Sequence, residues 1–228
     1  MNGGLGRRAF AEAIGSTLLV AAVVGSGIMA ERLADGNLAI ALLANSFATA
    51  GALVVLIAVF RPVSGAHLNP IVTLVLAREN DLRWQDVIPY VAAQMLGAIA
   101  GTLLAHAMFD LPLLQFAPKV RTGTGQILSE VVATFGLVLL VLRCRAESSL
   151  GLLVAAYIAA AYWFTASTSF ANPAVTVARM LTDSFAGIRP TDVPAFIAAQ
   201  VAGATAAVFI ARILQPASRR QIRSAEEL

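Results

Sequence analysis

The sequence predicts an all-α membrane protein with six transmembrane helices and two re-entrant half-helices arranged as an inverted repeat. Three observations lead to this fold class. The composition is apolar and poor in charge, six stretches are long and apolar enough to cross a bilayer, and each half of the chain adds one shorter helix with a polar lead-in.

The composition excludes several other classes of protein. Of the 228 residues, 58% are hydrophobic and 13% are charged, whereas about a quarter of the residues in a soluble domain are charged. A mean hydropathy of +0.78 also excludes a disordered chain. The net charge of +3 includes no basic block in mid-chain, which argues against nucleic-acid binding. Because the chain has one cysteine, Cys144, and two histidines, we expect no disulfide, no metal site and no cofactor.

Six stretches reach the length of a membrane span, which is about 20 predominantly apolar residues. They are residues 8–30, 38–60, 84–107, 126–143, 150–166 and 193–214. The first stretch contains Glu12 and is followed by five similar stretches, so it is not a cleaved signal peptide.

Two further apolar segments, residues 69–77 and 172–181, are too short to cross a bilayer. Each begins with an Asn-Pro pair, and this pair favours a helix start because Asn caps free N–H groups and Pro suits the first turn. Irregular backbone at membrane depth is tolerated only where protein or a water-filled cavity surrounds it. The two segments therefore predict half-helices that border a pore or a binding cavity.

The two halves of the chain resemble each other. HLNPIVTL matches FANPAVTV, and VAAQMLGAIAGTLLA matches IAAQVAGATAAVFIA. Three spans per half is an odd number, so the second half is predicted to lie inverted relative to the first. We expect repeats at residues 1–110 and 125–228, joined by a linker at 111–124, with a basic tail at the end of the second repeat.

The basic residues predict the orientation in the membrane. If the N-terminus is cytoplasmic, eleven of the sixteen Lys and Arg residues lie on the cytoplasmic side. We therefore expect a multi-pass protein of the cell (inner) membrane with both termini in the cytoplasm.

These features together resemble the aquaporin/aquaglyceroporin (major intrinsic protein) family over essentially the whole chain. The resemblance rests on paired half-helix motifs in inverted repeats and on polar residues at matching places. These residues are Asn69, Pro70 and Ile71, then Asn172, Pro173 and Ala174, with Glu12, Glu130, Gln94 and Gln200 inside the spans. Ile71 departs from the family pattern, which has alanine there, and we expect it to alter packing between the half-helices.

The resemblance implies roles for these residues. Asn69 and Asn172 are expected to cap the half-helices and to donate hydrogen bonds into the pore, although capping alone is an alternative. Glu12 and Glu130 are expected to hold the re-entrant loops, helped by Gln94 and Gln200, and the alternative is a proton-relay pair. His67 is expected to line the pore, or else to be structural.

In the family, selectivity depends on a constriction of the pore. The residues that line it can be located by counting along the sequence from Asn69 and Asn172. Here they are Thr49, Ala160, Ser169 and Val175, all small and uncharged. A ring without an aromatic side chain or an arginine predicts a wide constriction. Arg179 lies one helical turn beyond Val175 and either adds a charge at the outer mouth or extends to the membrane surface.

The resemblance therefore implies a passive channel rather than an enzyme. Replacement of the usual arginine by valine resembles bacterial arsenite-permeable channels, so we expect glycerol-like polyols, arsenous acid and other neutral metalloid hydroxides, and some water to permeate. The expected partners are the lipid bilayer, small neutral solutes and further copies of the chain in a homotetramer. The alternatives are an ordinary water or glycerol facilitator and a secondary transporter with broken helices.

Overall fold

The structure, a computed structural model, describes residues 4–214, and this part of the chain is all-helical. It contains eight α-helices and a short 3-10 turn at Pro190–Asp192. The helices are α1 (Leu5–Leu33), α2 (Leu38–Ser64), α3 (Pro70–Arg78), α4 (Trp84–Met108), α5 (Thr124–Cys144), α6 (Leu150–Phe164), α7 (Pro173–Arg179) and α8 (Val193–Ile213). The predicted basic tail, with Arg219, Arg220 and Arg223, lies outside the described residues.

Five helices in the described part of the chain are long and apolar enough to cross a membrane: α1, α2, α4, α5 and the segment formed by the 3-10 turn with α8. The fifth predicted span, 150–166, is too long, because α6 ends at Phe164 and contains 15 residues. That length corresponds to about 22 Å, less than the ~30 Å hydrocarbon core. The chain leaves the helix here because the next residues form the second re-entrant loop.

The half-helices α3 and α7 begin at the predicted Asn-Pro pairs. The side-chain Oδ1 of Asn69 accepts a hydrogen bond from Ile71 N, and Oδ1 of Asn172 accepts from Ala174 N and Val175 N. Helix α3 has 9 residues and α7 has 7, so α7 ends two residues before its predicted end at 181. Neither helix can cross a bilayer alone.

Glycines allow the long helices to pack backbone against backbone. A Cβ atom on Gly97 of α4 would lie 2.3 Å from Ala13 O of α1. In the second half, a Cβ atom on Gly203 of α8 would lie 2.3 Å from Val131 O of α5. Any larger residue at either position would force the helices apart, as expected where small residues allow close helix approach in lipid.

We predict that Gly97→Ala lowers the thermal stability of the purified protein by about 1–3 kcal/mol, because the added methyl group overlaps a backbone oxygen of α1. Thermal unfolding in detergent measures this change. Gly51→Ala is the matched control, because no atom lies within 4 Å of a Cβ at Gly51. An equal Tm for the two variants would contradict the packing argument.

Candidate functional site

A cavity of about 380 Å³ runs along α2, α6 and both re-entrant loops. Thr49 and Arg61 both line it and are twelve residues apart on α2, so it extends over roughly 18 Å. We call one end the Arg179 end, and its residues are Thr49, Tyr162, Ser169, Val175 and Arg179. We call the other the Arg145 end, and its residues are Arg61, Asp81, Arg145 and Ala146.

Asn69 and Asn172 meet along this cavity and connect the two halves of the chain. Asn69 Nδ2 donates to Ala171 O at 2.8 Å, and Asn172 Nδ2 donates to Leu68 O at 2.7 Å. Each amide group therefore holds the opposite re-entrant loop. Because an amide NH₂ group has two N–H donors, each asparagine has a second donor beyond this cross-loop bond.

The carboxylate of Glu12 is completely buried and accepts four hydrogen bonds from around the first re-entrant loop. Oε1 accepts from Ser64 Oγ at 2.6 Å and from His67 N at 3.0 Å. Oε2 accepts from Leu68 N and from Gln94 Nε2, both at 2.7 Å. Two donors on each oxygen compensate the cost of burying the charge.

Glu130 has the same arrangement around the second re-entrant loop and is also completely buried. Oε1 accepts from Ser167 Oγ at 2.6 Å and from Phe170 N at 2.9 Å. Oε2 accepts from Ala171 N at 3.0 Å and from Gln200 Nε2 at 2.7 Å. The two halves thus satisfy their loops with the same kinds of donors.

These hydrogen bonds stabilise backbone that is unfavourable by itself. Five non-glycine residues of the two loops have positive φ between 47° and 61°: Ala66, Leu68, Thr168, Ser169 and Ala171. Such a conformation costs on the order of 1–3 kcal/mol per residue unless the surroundings impose it. The two carboxylates supply that constraint by accepting the N–H groups of the loops.

His67 and Ile71 lie on different sides of the first motif. His67 lines the cavity, and its Nδ1 is 3.2 Å from Thr73 Oγ1. Ile71 is buried away from the cavity in a cluster with Val138 and Val208. The expectation that Ile71 changes the packing between the half-helices is therefore wrong, because its side chain packs against α5 and α8.

Three of the four predicted constriction residues, Thr49, Ser169 and Val175, line the cavity, but Ala160 does not. Ala160 is exposed on the outer side of α6. The α6 residues that face the cavity are Val154, Ile158 and Tyr162, which recur every four residues. Ala160 is two residues from the last two, about 200° around the helix axis, so placing it in the ring is wrong.

Tyr162 occupies the wall where Ala160 was expected. Its ring is 3% exposed, and its hydroxyl oxygen is 3.3 Å from Thr49 Oγ1. The inference of a ring without an aromatic side chain is therefore wrong for this structure. The four-residue spacing of the cavity-facing residues on α6 leads from Ile158 to Tyr162. Counting twelve residues back from Asn172 led to Ala160 instead.

Arg179 lines the cavity and does not extend to a surface, since it is 1% exposed. Its guanidinium Cζ lies 3.5 Å from the centroid of the Phe170 ring, and its Nε donates to Ala186 O. The prediction of a ring without a charge thus needs correction, because the next turn of α7 supplies a guanidinium. Arg179 therefore supplies a cation one helical turn from Val175, the position at which the family usually has its arginine.

Arg121, in the linker, was not identified from the sequence and lies beside the same aromatic ring. Its Cζ is 4.9 Å from the Phe170 centroid, its Nε donates to Gly187 O, and its Nη1 donates to Ser167 O. Burial, followed by the nearby Arg179, lowers the pKa of Arg121 to about 9. Nothing in the local sequence of the linker distinguishes Arg121 from a solvated arginine.

Lys119 is the third cation of this region. Its Nζ donates to Phe185 O at 2.8 Å. Burial, with smaller contributions from Arg121 and Arg179, lowers the pKa of Lys119 to about 8. The amine is still predominantly protonated at neutral pH. We call Lys119, Arg121 and Arg179 the cationic group.

A membrane-embedded helical fold in which two asparagine-capped half-helices meet along one cavity defines a channel of the aquaporin type. The family model of the major intrinsic proteins matches residues 4–162. An aquaglyceroporin, AqpS, from Rhizobium meliloti (strain 1021) is 56% identical over 217 residues, which cover 93% of this chain and 92% of that protein. The chain belongs to the major intrinsic protein family.

Other relatives agree with this assignment. A probable aquaporin, AqpM, from Archaeoglobus fulgidus is 30% identical over 90% of this chain and 96% of its own length. The X-ray structure of the aquaglyceroporin from Plasmodium falciparum aligns with a TM-score of 0.66 and 20% identity, over 92% of this chain and 95% of that one. The latter shows the fold. Because the family consists of membrane channels, the prediction that the chain is not an enzyme is confirmed.

We predict that Glu130→Gln destabilises the folded protein by at least about 2 kcal/mol, because an amide group replaces one acceptor oxygen with a donor that faces N–H groups. Thermal unfolding in detergent measures the loss. Glu147→Gln is the control, since Glu147 is exposed and its side chain makes no hydrogen bond or ion pair among residues 4–214. Equal stability of the two variants would refute the role of Glu130 in holding the loop.

We also predict that Tyr162→Ala widens the Arg179 end and raises the flux of a polyol larger than glycerol by about threefold or more, at least ~0.6 kcal/mol in barrier height. Solute uptake by proteoliposomes measures this flux. Ala160→Leu, on the outer side of the same helix, is expected to leave it unchanged. If Ala160→Leu changes the flux and Tyr162→Ala does not, the assignment of the wall is wrong.

Proposed function

We propose that the protein is a passive channel for small uncharged solutes, namely glycerol-like polyols, arsenous acid and other neutral metalloid hydroxides, and some water. The observation that carries this proposal is the cavity along which Asn69 and Asn172 meet and whose Arg179 end has no bulky group at Val175. The family, and the relative that is named an aquaglyceroporin, support the more general conclusion that the chain is a channel for small solutes.

The lining of the cavity suits solutes with an apolar and a hydroxylated side. Most of its side chains are aliphatic, among them Leu19, Val23, Leu53, Ile57, Val72, Leu137, Val141, Val154 and Ile158. The polar groups come from the re-entrant loops, the two asparagines, Thr49 and Tyr162, and from charged side chains at the two ends. A polyol that leaves water along this path replaces its lost hydrogen bonds on one side and contacts hydrocarbon on the other.

Arsenous acid belongs to the same class of solute because it is uncharged, carries three hydroxyl groups and is similar in size to glycerol. At the Arg179 end it meets the hydroxyl groups of Thr49 and Tyr162 and the guanidinium of Arg179. These groups replace the constriction proposed from the sequence alone, with Tyr162 in place of Ala160. Val175 leaves the room that an arginine at that position would fill.

The same geometry disfavours cations. The positive ends of the two half-helices face the cavity at Asn69 and Asn172, and helix N-termini carry partial positive charge. Arg179 adds a full charge at one end. A cation therefore meets positive potential at two places along the path.

A secondary transporter with broken helices is a poorer match to these contacts. Such a transporter needs carboxylates that can bind a coupling ion or a proton at the centre of the membrane. Glu12 and Glu130 each accept four hydrogen bonds from their own loops. Neither has an oxygen free for ion coupling, and this also argues against a proton-relay pair.

We propose further that the chain forms a homotetramer in the inner membrane with both termini in the cytoplasm. The tetramer rests on the family resemblance, and the orientation rests on the distribution of Lys and Arg. The matching contacts of Glu12 and Glu130 support two inverted repeats at 1–110 and 125–228, joined by the linker 111–124.

We expect Val175→Arg to lower the fluxes of glycerol and arsenous acid by about tenfold, ~1.4 kcal/mol in barrier height, because it fills the Arg179 end. Stopped-flow measurements on proteoliposomes with water, glycerol and arsenite in parallel test this. Val120→Arg adds the same charge on the exposed linker and serves as the control. Unchanged solute fluxes in a folded Val175→Arg protein would disprove the assignment of the constriction. Gradient-coupled, saturable flux would favour the transporter.

A further inference from the structure

The Arg179 end contains two buried hydrogen-bond donors that the protein does not use. Among residues 4–214, Arg179 Nη1 and Ser169 Oγ have no hydrogen-bond partner. Both side chains are more than nine-tenths buried, and both line the cavity. Buried donors without acceptors are costly, so an acceptor supplied by a molecule in the cavity would stabilise both groups.

The charge of Arg179 also lacks a counter-ion in the described part of the chain. None of the five ion pairs found there includes Arg179, Arg121 or Lys119. Instead, the two guanidinium groups lie 3.5 Å and 4.9 Å from the centroid of one phenylalanine ring, Phe170. The cationic group is therefore concentrated at one end of the cavity.

The carboxylates near the cationic group are bound to other partners. Glu130 accepts four hydrogen bonds from the second loop and Gln200. Glu31 accepts from Phe185 N. Asp192 accepts from Arg189 and from the backbone N of Arg121. These groups reduce the positive potential, but none pairs with the guanidinium of Arg179.

We infer that the Arg179 end is a binding site for small, planar, monovalent oxyanions, which compete there with neutral solutes. A guanidinium group donates in a planar fork that fits two oxygens of such an anion. The hydroxyl group of Ser169 provides a further donor. The other walls, at Val175 and Phe170, are apolar, so a strongly hydrated divalent anion loses more than it gains on entering.

The test uses nitrate as the oxyanion, because it stays ionised at all working pH values. Proteoliposomes of the full chain are equilibrated with sodium nitrate on both sides, with sodium gluconate keeping the ionic strength constant. We expect glycerol flux to fall saturably with nitrate. In Arg179→Met the nitrate concentration for half-inhibition is expected to rise by about tenfold or more, because a charge-assisted hydrogen bond is lost. In Ser169→Ala it is expected to rise about threefold.

Arg32→Met is the matched control, since Arg32 is an exposed cation that donates to Phe109 O outside the cavity. Its half-inhibition concentration is expected to equal that of the native protein. Equal inhibition of the native and Arg179→Met proteins, or none in the native protein, would overturn the proposal. If Arg179→Met does not fold, the Ser169→Ala result decides by the same criterion.

Binding can be measured without transport, which separates this inference from the proposed function on which its competition with solutes rests. In detergent, nitrate is expected to raise the Tm of the native protein above its value in gluconate. Ser169→Ala and Arg179→Met are expected to reduce this shift, and Arg32→Met is not. A Tm that is identical in nitrate and gluconate overturns the anion site even if glycerol permeates. A nitrate-dependent Tm in a protein that transports no glycerol supports the site and contradicts the channel proposal.

Discussion

The binding of loop N–H groups by two buried carboxylates is the interaction on which the rest of the structure depends. A re-entrant loop inside a membrane cannot exchange hydrogen bonds with lipid. Glu12 and Glu130 therefore accept the N–H groups that would otherwise remain unpaired, and each oxygen is used twice. Because the N–H groups point toward these carboxylates, the loop backbone can run along the cavity even though several of its residues have positive φ. The half-helices then begin where the loops end, so the carboxylates also determine where the asparagines meet.

Much of this arrangement could be predicted from the sequence because it depends on local chemistry. An Asn-Pro pair before an apolar segment favours a helix start, and a glutamate in an apolar span needs donors. Both rules apply to each half separately and need no knowledge of the tertiary structure. The resemblance between the halves added the inversion, since three spans per half leave no other orientation. The length of α6 could not be predicted in this way, because the second re-entrant loop that follows it is bound by Ser129 and Glu130, which are distant in sequence.

The constriction was predicted less well, for a physical reason. Its residues come from α2, α6, the second loop and α7, and their position depends on how these elements rotate against each other. Counting back from Asn172 assumes that the segment before it has a constant course, and this assumption failed at Ala160. Counting from Asn172 did identify Ser169 and Val175, because both lie within three residues of Asn172. Arg121 was missed because only the folded linker brings it next to Phe170.

The crossed amide bonds of Asn69 and Asn172 have a consequence for biosynthesis. Asn69 emerges from the ribosome long before its acceptor, Ala171 O, and Asn172 finds Leu68 O only when the first half is already in place. In the first half on its own, Asn69 can therefore cap its half-helix but has no Ala171 O to which its amide group can donate. Completion of the cavity is a late step of assembly that requires both halves in one bilayer.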